Sequence, residues 1–189
     1  MKVQTRKYGP EPAFPQPYPP QSFEKAMVFI DGSNLFNRLL SAQLSVPKIL
    51  PLVQLAANQR QLLRAGLYTT ERKLIAARNA HGDDVADGVR PIFGDSIEGG
   101  GGNLREKGVD ALLVADLVYH AAQRNCQYIT LISNDSDFRF ALNRAADFGC
   151  RVGLMALCEN APERLRNEAD DYWFLTREWL IDNQIGIAA

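Results

Sequence analysis

The sequence predicts an α/β protein: a doubly wound, mostly parallel sheet with helices on both faces, the Rossmann-like three-layer arrangement. Three observations carry this. Residues 26–30 and 128–132 are short, wholly apolar runs, which is how strands buried on both faces read. Each run is followed by a segment with apolar residues at helical spacing, and strands alternating with helices build a parallel sheet. Each run also closes on an acidic loop, and in right-handed doubly wound sheets the carboxyl ends of the strands border the functional crevice.

Taken in order, six of the ten prolines lie between residues 10 and 20. Proline cannot sustain a helix or a central strand, so residues 1–23 are expected to form a Pro-rich flexible tail, and residues 24–189 a single domain. The first strand, 26–30, leads into a helix carrying Leu35, Phe36, Leu39 and Leu40. A helix-like segment covers 47–61. A second strand is expected over 65–70, a helix over 71–80 and a short strand over 89–93. Residues 99–102 are four consecutive glycines, which predict a flexible loop. The span 108–124 reads as a helix with Val109, Leu113, Leu117 and Ala121 on one face. After the strand at 128–132, a helix over 138–148 should stop at Gly149. A strand at 151–156, a helix at 160–169, an edge strand at 172–175 and a helix at 177–183 complete the chain.

Composition narrows the function. The chain has 189 residues, 46% hydrophobic and 23% charged, enough apolar content for a packed core and too much for a disordered protein. Lys and Arg total 21 against 22 Asp and Glu, so any contact with nucleic acid must come from a local basic rim. No apolar run approaches the ~18 residues of a membrane helix, and the first residues lack the apolar core of a signal peptide. Cys126, Cys150 and Cys158 show no CxxC spacing, which argues against a disulfide framework or a cysteine zinc site and for a reducing cytoplasmic location.

The acids carry the chemistry. Asp31 closes the first strand, and Asp135 and Asp137 follow the strand at 128–132. If those strands are neighbours, their carboxylates meet at one sheet edge. Asp110 and Asp116 lie in the preceding helix, six residues apart, or about 240° around its axis. Taken singly, each acid is accounted for as a cap or turn residue. Crowded together, carboxylates repel and hold protons until a cation relieves them. An oxygen-only donor set without His or Cys clusters favours Mg²⁺ or Mn²⁺ over zinc. Ser33 and Asn34 stand at the start of the first helix, where unpaired backbone N–H groups suit phosphate oxygens.

These residues resemble a known family. Val28-Phe29-Ile30-Asp31-Gly32-Ser33-Asn34-Leu35-Phe36 is similar to the opening motif of NYN domains, the LabA-like branch of the PIN-like nuclease superfamily. Glu106-Lys107-Gly108-Val109-Asp110, with Asp116 further along the helix, resembles the second motif. Leu131-Ile132-Ser133-Asn134-Asp135-Ser136-Asp137-Phe138 resembles the third, with Asn134 where Gly is usual. Leu165, Ala169 and Asp170 before Tyr172-Trp173-Phe174 resemble the closing pattern. The resemblance implies a PIN-like sandwich and a ribonuclease that hydrolyses RNA phosphodiester bonds with Mg²⁺ or Mn²⁺. It implies Asp31, Asp116 and Asp135 as the central catalytic, metal-holding acids, with Asp137 and Asp110 as further metal ligands.

Ser33, Asn34, Ser133, Asn134, Lys107 and Arg139 lie close to these motifs and are the candidate RNA contacts, the last two through charge. The expected partner is RNA, with no membrane, and the sequence leaves room for a homo-oligomer. Two other functions compete. One is a non-catalytic RNA- or protein-binding regulator on the same fold. The other is a phosphatase of the haloacid dehalogenase type, which wants a second Asp where this chain has Ser33.

Overall fold

The computed structural model describes residues 22–98 and 104–189. Residues 1–21 of the expected tail and 99–103 of the glycine loop lie outside the described residues. The elements run β1 (Ser22–Asp31), α1 (Gly32–Ser41), β2 (Leu44–Ser45), α2 (Leu50–Ala56), β3 (Arg60–Thr69), α3 (Glu71–His81), a 3₁₀ turn (Asp83–Ala86), β4 (Arg90–Phe93), β5 (Asp95–Glu98), β6 (Leu104–Lys107), α4 (Val109–Ala122), β7 (Tyr128–Ile132), a 3₁₀ turn (Ser136–Phe138), α5 (Arg139–Asp147), β8 (Arg151–Leu157), α6 (Glu163–Arg166), β9 (Asp171–Leu175), α7 (Arg177–Asp182) and β10 (Ile187–Ala188).

Six strands form one sheet in the order β4-β3-β1-β7-β8-β9, with every neighbouring pair parallel. The chain steps outward from β1 to β3 and β4, then returns to place β7 on the other side of β1. The order therefore reverses between β1 and β7, and the crevice of a doubly wound sheet opens at that junction.

Alternation along the strands divides the core into two layers. Val28, Ile30 and Leu67 face one side, where they meet Leu35, Phe36 and Leu39 of α1, Leu52 and Val53 of α2, Leu74 of α3 and Leu180 of α7. Met27, Phe29, Tyr68, Ile129 and Leu131 face the other side, against Val109, Leu113, Leu117 and Ala121 of α4, Ala141 and Leu142 of α5 and Leu165 of α6. The result is the three-layer sandwich that the sequence predicts. Gly153 of β8 lets the layers close: a Cβ there would lie 2.7 Å from the Tyr128 hydroxyl and 2.8 Å from Oγ1 of Thr130.

Five features differ from expectation. The expected helix at 47–61 ends at Ala56, because Asn58 and Gln59 take positive φ (49° and 60°) and turn the chain into β3. That strand begins at Arg60 because Ser22 and Lys25 of β1 pair with Arg60 and Gln61. The same pairing draws residues 22 and 23 of the expected tail into β1. These ends include exposed positions such as Phe23, Glu24 and Gln61 and carry no long apolar run to betray them. The expected helix at 160–169 shrinks to one turn behind Pro162. Finally, β5 and β6 pair antiparallel on either side of residues 99–103, Asp95 with Lys107 and Ser96 with Glu106.

Candidate acid pocket at the β1–β7 junction

Asp31 ends β1 and caps α1, its Oδ1 accepting from the backbone N–H of Asn34 at 3.0 Å. The capping role does not exhaust it. Oδ2 accepts from the Ser133 hydroxyl at 2.9 Å, and the same hydroxyl oxygen accepts from the backbone N–H of Asp135 at 3.0 Å. The Asn34 side chain crosses the junction in the other direction, its Oδ1 accepting from the backbone N–H of Asn134 at 3.0 Å. The loops after β1 and β7 are thus stitched by the small polar residues of the two motifs. Asp135 caps the following 3₁₀ turn by accepting from the Asp137 N–H at 2.9 Å, and the Ser136 hydroxyl takes a hydrogen bond from Arg164.

Electrostatics tie these acids together. Asp31 is only 4% exposed. Burial pushes its carboxyl up to about 6, the bonds from Asn34 and Ser133 oppose the rise, and the nearby carboxylates of Asp110 and Asp135 add to it. Asp110, in the first turn of α4, is also raised, first by burial and then by Asp135, Glu106 and Asp137, while Lys73 opposes. Gly108 precedes that first turn with a left-handed φ of 80°, a conformation glycine adopts without penalty. Asp31, Asp110 and Asp135 therefore share one field, with Asp137 and Glu106 at its edge.

Two contributors fall outside the sequence-predicted set. Oε2 of Glu106 accepts from the Ser33 hydroxyl and from Nζ of Lys73, both at 2.6 Å. Its other oxygen, Oε1, is buried with no hydrogen-bond partner among the described residues. The motif at 106–110 carried the signal for Glu106. Lys73 had none, since only the folding of α3 over the junction brings it there. Lys107 is exposed at the end of β6. Arg139 opens α5 with its guanidinium stacked 4.2 Å over the Phe140 ring.

The expected central set was Asp31, Asp116 and Asp135. The Asp116 carboxylate accepts from the Tyr68 hydroxyl at 2.9 Å, and Tyr68 is the strand partner of Asp31. Asp116 lies about 9 Å along α4 from Asp110, at 1.5 Å per residue. That rotation and rise put Asp110 at the junction and Asp116 over the sheet.

Among the described residues, no group of three His, Cys, Asp or Glu side chains is already gathered around a common metal position. The donor chemistry nonetheless fits a hard cation. The pocket offers only oxygen ligands, its central carboxyl is pushed toward protonation, and Oε1 of Glu106 is an orphaned buried acceptor. Mg²⁺ is commonly held by one or two carboxylates with waters completing its shell. Asp31, Asp110 and Asp135, which act on one another electrostatically, are the acids that would hold such an ion.

The fold and this acid-lined switch point define a PIN-like nuclease-type α/β protein. The NYN domain family model matches residues 25–176, and the chain belongs to that family, a branch of the PIN-like nuclease superfamily. It is 37% identical over 81 residues to the uncharacterized protein y4oD of Sinorhizobium fredii, an alignment spanning 41% of this chain and 36% of that relative. Its fold is similar to the crystal structure of VPA0982, a protein of unknown function from Vibrio parahaemolyticus, with a TM-score of 0.62 and 15% identity. That match covers 84% of this chain and 96% of the other. No helix among the described residues is long and apolar enough to cross a membrane.

Proposed function

We propose that this protein is a divalent-metal-dependent ribonuclease that hydrolyses RNA phosphodiester bonds at the β1–β7 junction, with Asp31, Asp110 and Asp135 as the acids that hold the ion. The observation that carries the reading is the buried carboxyl of Asp31, pinned by Ser133 and Asn34 and facing two further carboxylates at the switch point. A buried acid in such company is costly without a cation.

A bound Mg²⁺ or Mn²⁺ supplies an activated water and shields the phosphate under attack. The chain's own residues do the positioning. Ser133 and the Asn34 N–H fix both oxygens of Asp31, so its orientation is set before substrate arrives. Asn34 and Asn134 lock the two loops at one spacing. Glu106 holds Lys73 at the rim, where the ammonium attracts a phosphate into an otherwise acidic pocket. The first N–H groups of α1 face the same rim and suit phosphate oxygens. Asp116 stands outside this set. The Ser33 hydroxyl donates to Glu106, and this serine occupies the position, two residues after Asp31, where an aspartyl-phosphate mechanism wants its second Asp.

The test is cleavage of labelled single-stranded and structured RNA by purified protein with Mg²⁺, with Mn²⁺ and with chelator. Metal-dependent cleavage that disappears in Asp31→Asn and Asp135→Asn is expected. Cleavage that survives both substitutions or the chelator would refute the reading.

A further inference from the structure

A second concavity lies beside the acid pocket, on the α4 face of the sheet. It has a volume of about 330 Å³, and its walls include Arg64, Arg90, Tyr68, Asp116, Tyr119 and His120. The strand register explains its shape. Met27 pairs with Arg64, Phe29 with Gly66 and Asp31 with Tyr68, while Gly66 pairs with Arg90 and Tyr68 with Ile92. Paired residues of parallel strands share a face, so arginines, rings and Asp31 stand in successive rows of one floor. Gly66 makes the hollow, because a Cβ there would lie 2.9 Å from the Tyr68 ring that lies back over it.

The lining is chemically divided. Arg64 and Arg90 are both exposed. Neither guanidinium has a salt bridge or hydrogen bond among the described residues. Both guanidiniums act electrostatically on the Tyr68 hydroxyl, and burial holds the His120 imidazole below its usual range, with Arg64 adding to the effect and Asp116 opposing it. The aromatic wall runs from Tyr119, 57% exposed, to His120 in edge contact with it at 5.4 Å. Phe29 lies tilted 6.3 Å from His120 and stacked 6.1 Å from Tyr68. Asp116 uses Oδ2 for Tyr68, which leaves Oδ1 as an acceptor at the wall.

A ligand matching this lining is anionic at one end and flat at the other, and it carries an N–H for the carboxylate. We propose that this pocket binds one nucleotide. Arg64 and Arg90 take its phosphate, Tyr119 and His120 take the face of the base, and Asp116 accepts from a base amino group. Arginine forks match phosphate oxygens, and aromatic faces hold unpaired bases. The volume sits at the small end of ligand pockets and has room for a single nucleotide. The nucleotide comes either free or as one unpaired residue of an RNA strand. The second source rests on the ribonuclease reading, since the same floor continues to Asp31.

Binding in chelator separates this proposal from turnover. Equilibrium dialysis with AMP, GMP, CMP, UMP and inorganic phosphate, beside a short single-stranded RNA, distinguishes the sources. Wild-type protein should bind a mononucleotide more tightly than inorganic phosphate, or the RNA, or both. The double substitution Arg64→Ala with Arg90→Ala should weaken that binding about tenfold or more, and Tyr119→Ala severalfold. These three side chains are exposed, so the melting temperature should not change. Loss of mononucleotide binding identifies a site for free nucleotide, and loss of RNA binding alone identifies a strand-tracking site. If nucleotides and RNA bind no better than inorganic phosphate, or bind equally well to the variants, the proposal is overturned. That result would leave the cleavage test at Asp31 untouched.

Discussion

The Ser133 hydroxyl donates to Oδ2 of Asp31 at 2.9 Å and accepts from the Asp135 N–H at 3.0 Å. One oxygen thus orients the acid that ends β1 and the loop that carries the acid after β7. Ser133→Ala removes both bonds and leaves a 4% exposed carboxylate without one of its two donors. Each lost buried partner costs ~1–3 kcal/mol. Urea denaturation at pH 7.5 should show a loss in that range, and the carboxyl of Asp31, followed by NMR, should titrate higher than in the wild type.

Asp31 itself sets a pH dependence. Its folded value near 6 lies above the ordinary 3.8, so between these values the folded state holds a proton that the unfolded state has released. Stability of the metal-free protein should therefore fall as pH rises through this window, by up to about 3 kcal/mol for two pK units. Asp31→Asn cannot ionise. It should melt at a higher temperature than the wild type at pH 7.5 and lose that advantage at pH 4. A variant less stable than wild type at pH 7.5 would contradict this account.

A cation should reverse the penalty. Metal binding competes with the proton on Asp31. Mg²⁺ or Mn²⁺ should raise the melting temperature of the wild type more at pH 7.5 than at pH 5, and should do little for Asp31→Asn. Scanning calorimetry at both pH values, with and without ion, checks it.

Asp110 and Asp116 should part company. Asp110 shares the field of Asp31 and Asp135, whereas Asp116 is bonded to Tyr68. Asp110→Asn should lower kcat by about 100-fold or more, as for other groups that stabilise charge at a reacting phosphate. Asp116→Asn should act chiefly on KM. Steady-state cleavage of one RNA by both variants decides the assignment.

Gly32 offers a test of placement. A Cβ at this position would lie 2.8 Å from the backbone oxygen of Tyr68, and backbone cannot give way as a side-chain tip can. Gly32→Ala should cost ~1–3 kcal/mol and displace α1 with Asn34 and Ser33. Thermal melts, with a cleavage assay on the fraction still folded, would show both effects.

The sheet and the layers were legible in the chain, because strands buried on both faces leave unbroken apolar runs such as 26–30 and 128–132. The pairing ends were not. Ser22–Lys25 and Arg60–Arg64 include exposed positions, and backbone hydrogen bonds hold them in register without an apolar signature. Lys73 was invisible for a related reason: nothing near it in sequence hints at Glu106, and the two meet only when α3 and β6 are folded against the junction.

By itself the sequence determined that acids end β1 and β7, since an aspartate closing a buried strand is written in local order. Only the tertiary structure decided which partners each helix acid meets. Asp110 and Asp116 belong to one motif and one helix. Axial rise and rotation carry one to the strand ends and the other over Tyr68, and that partition depends on where α4 is docked on the sheet.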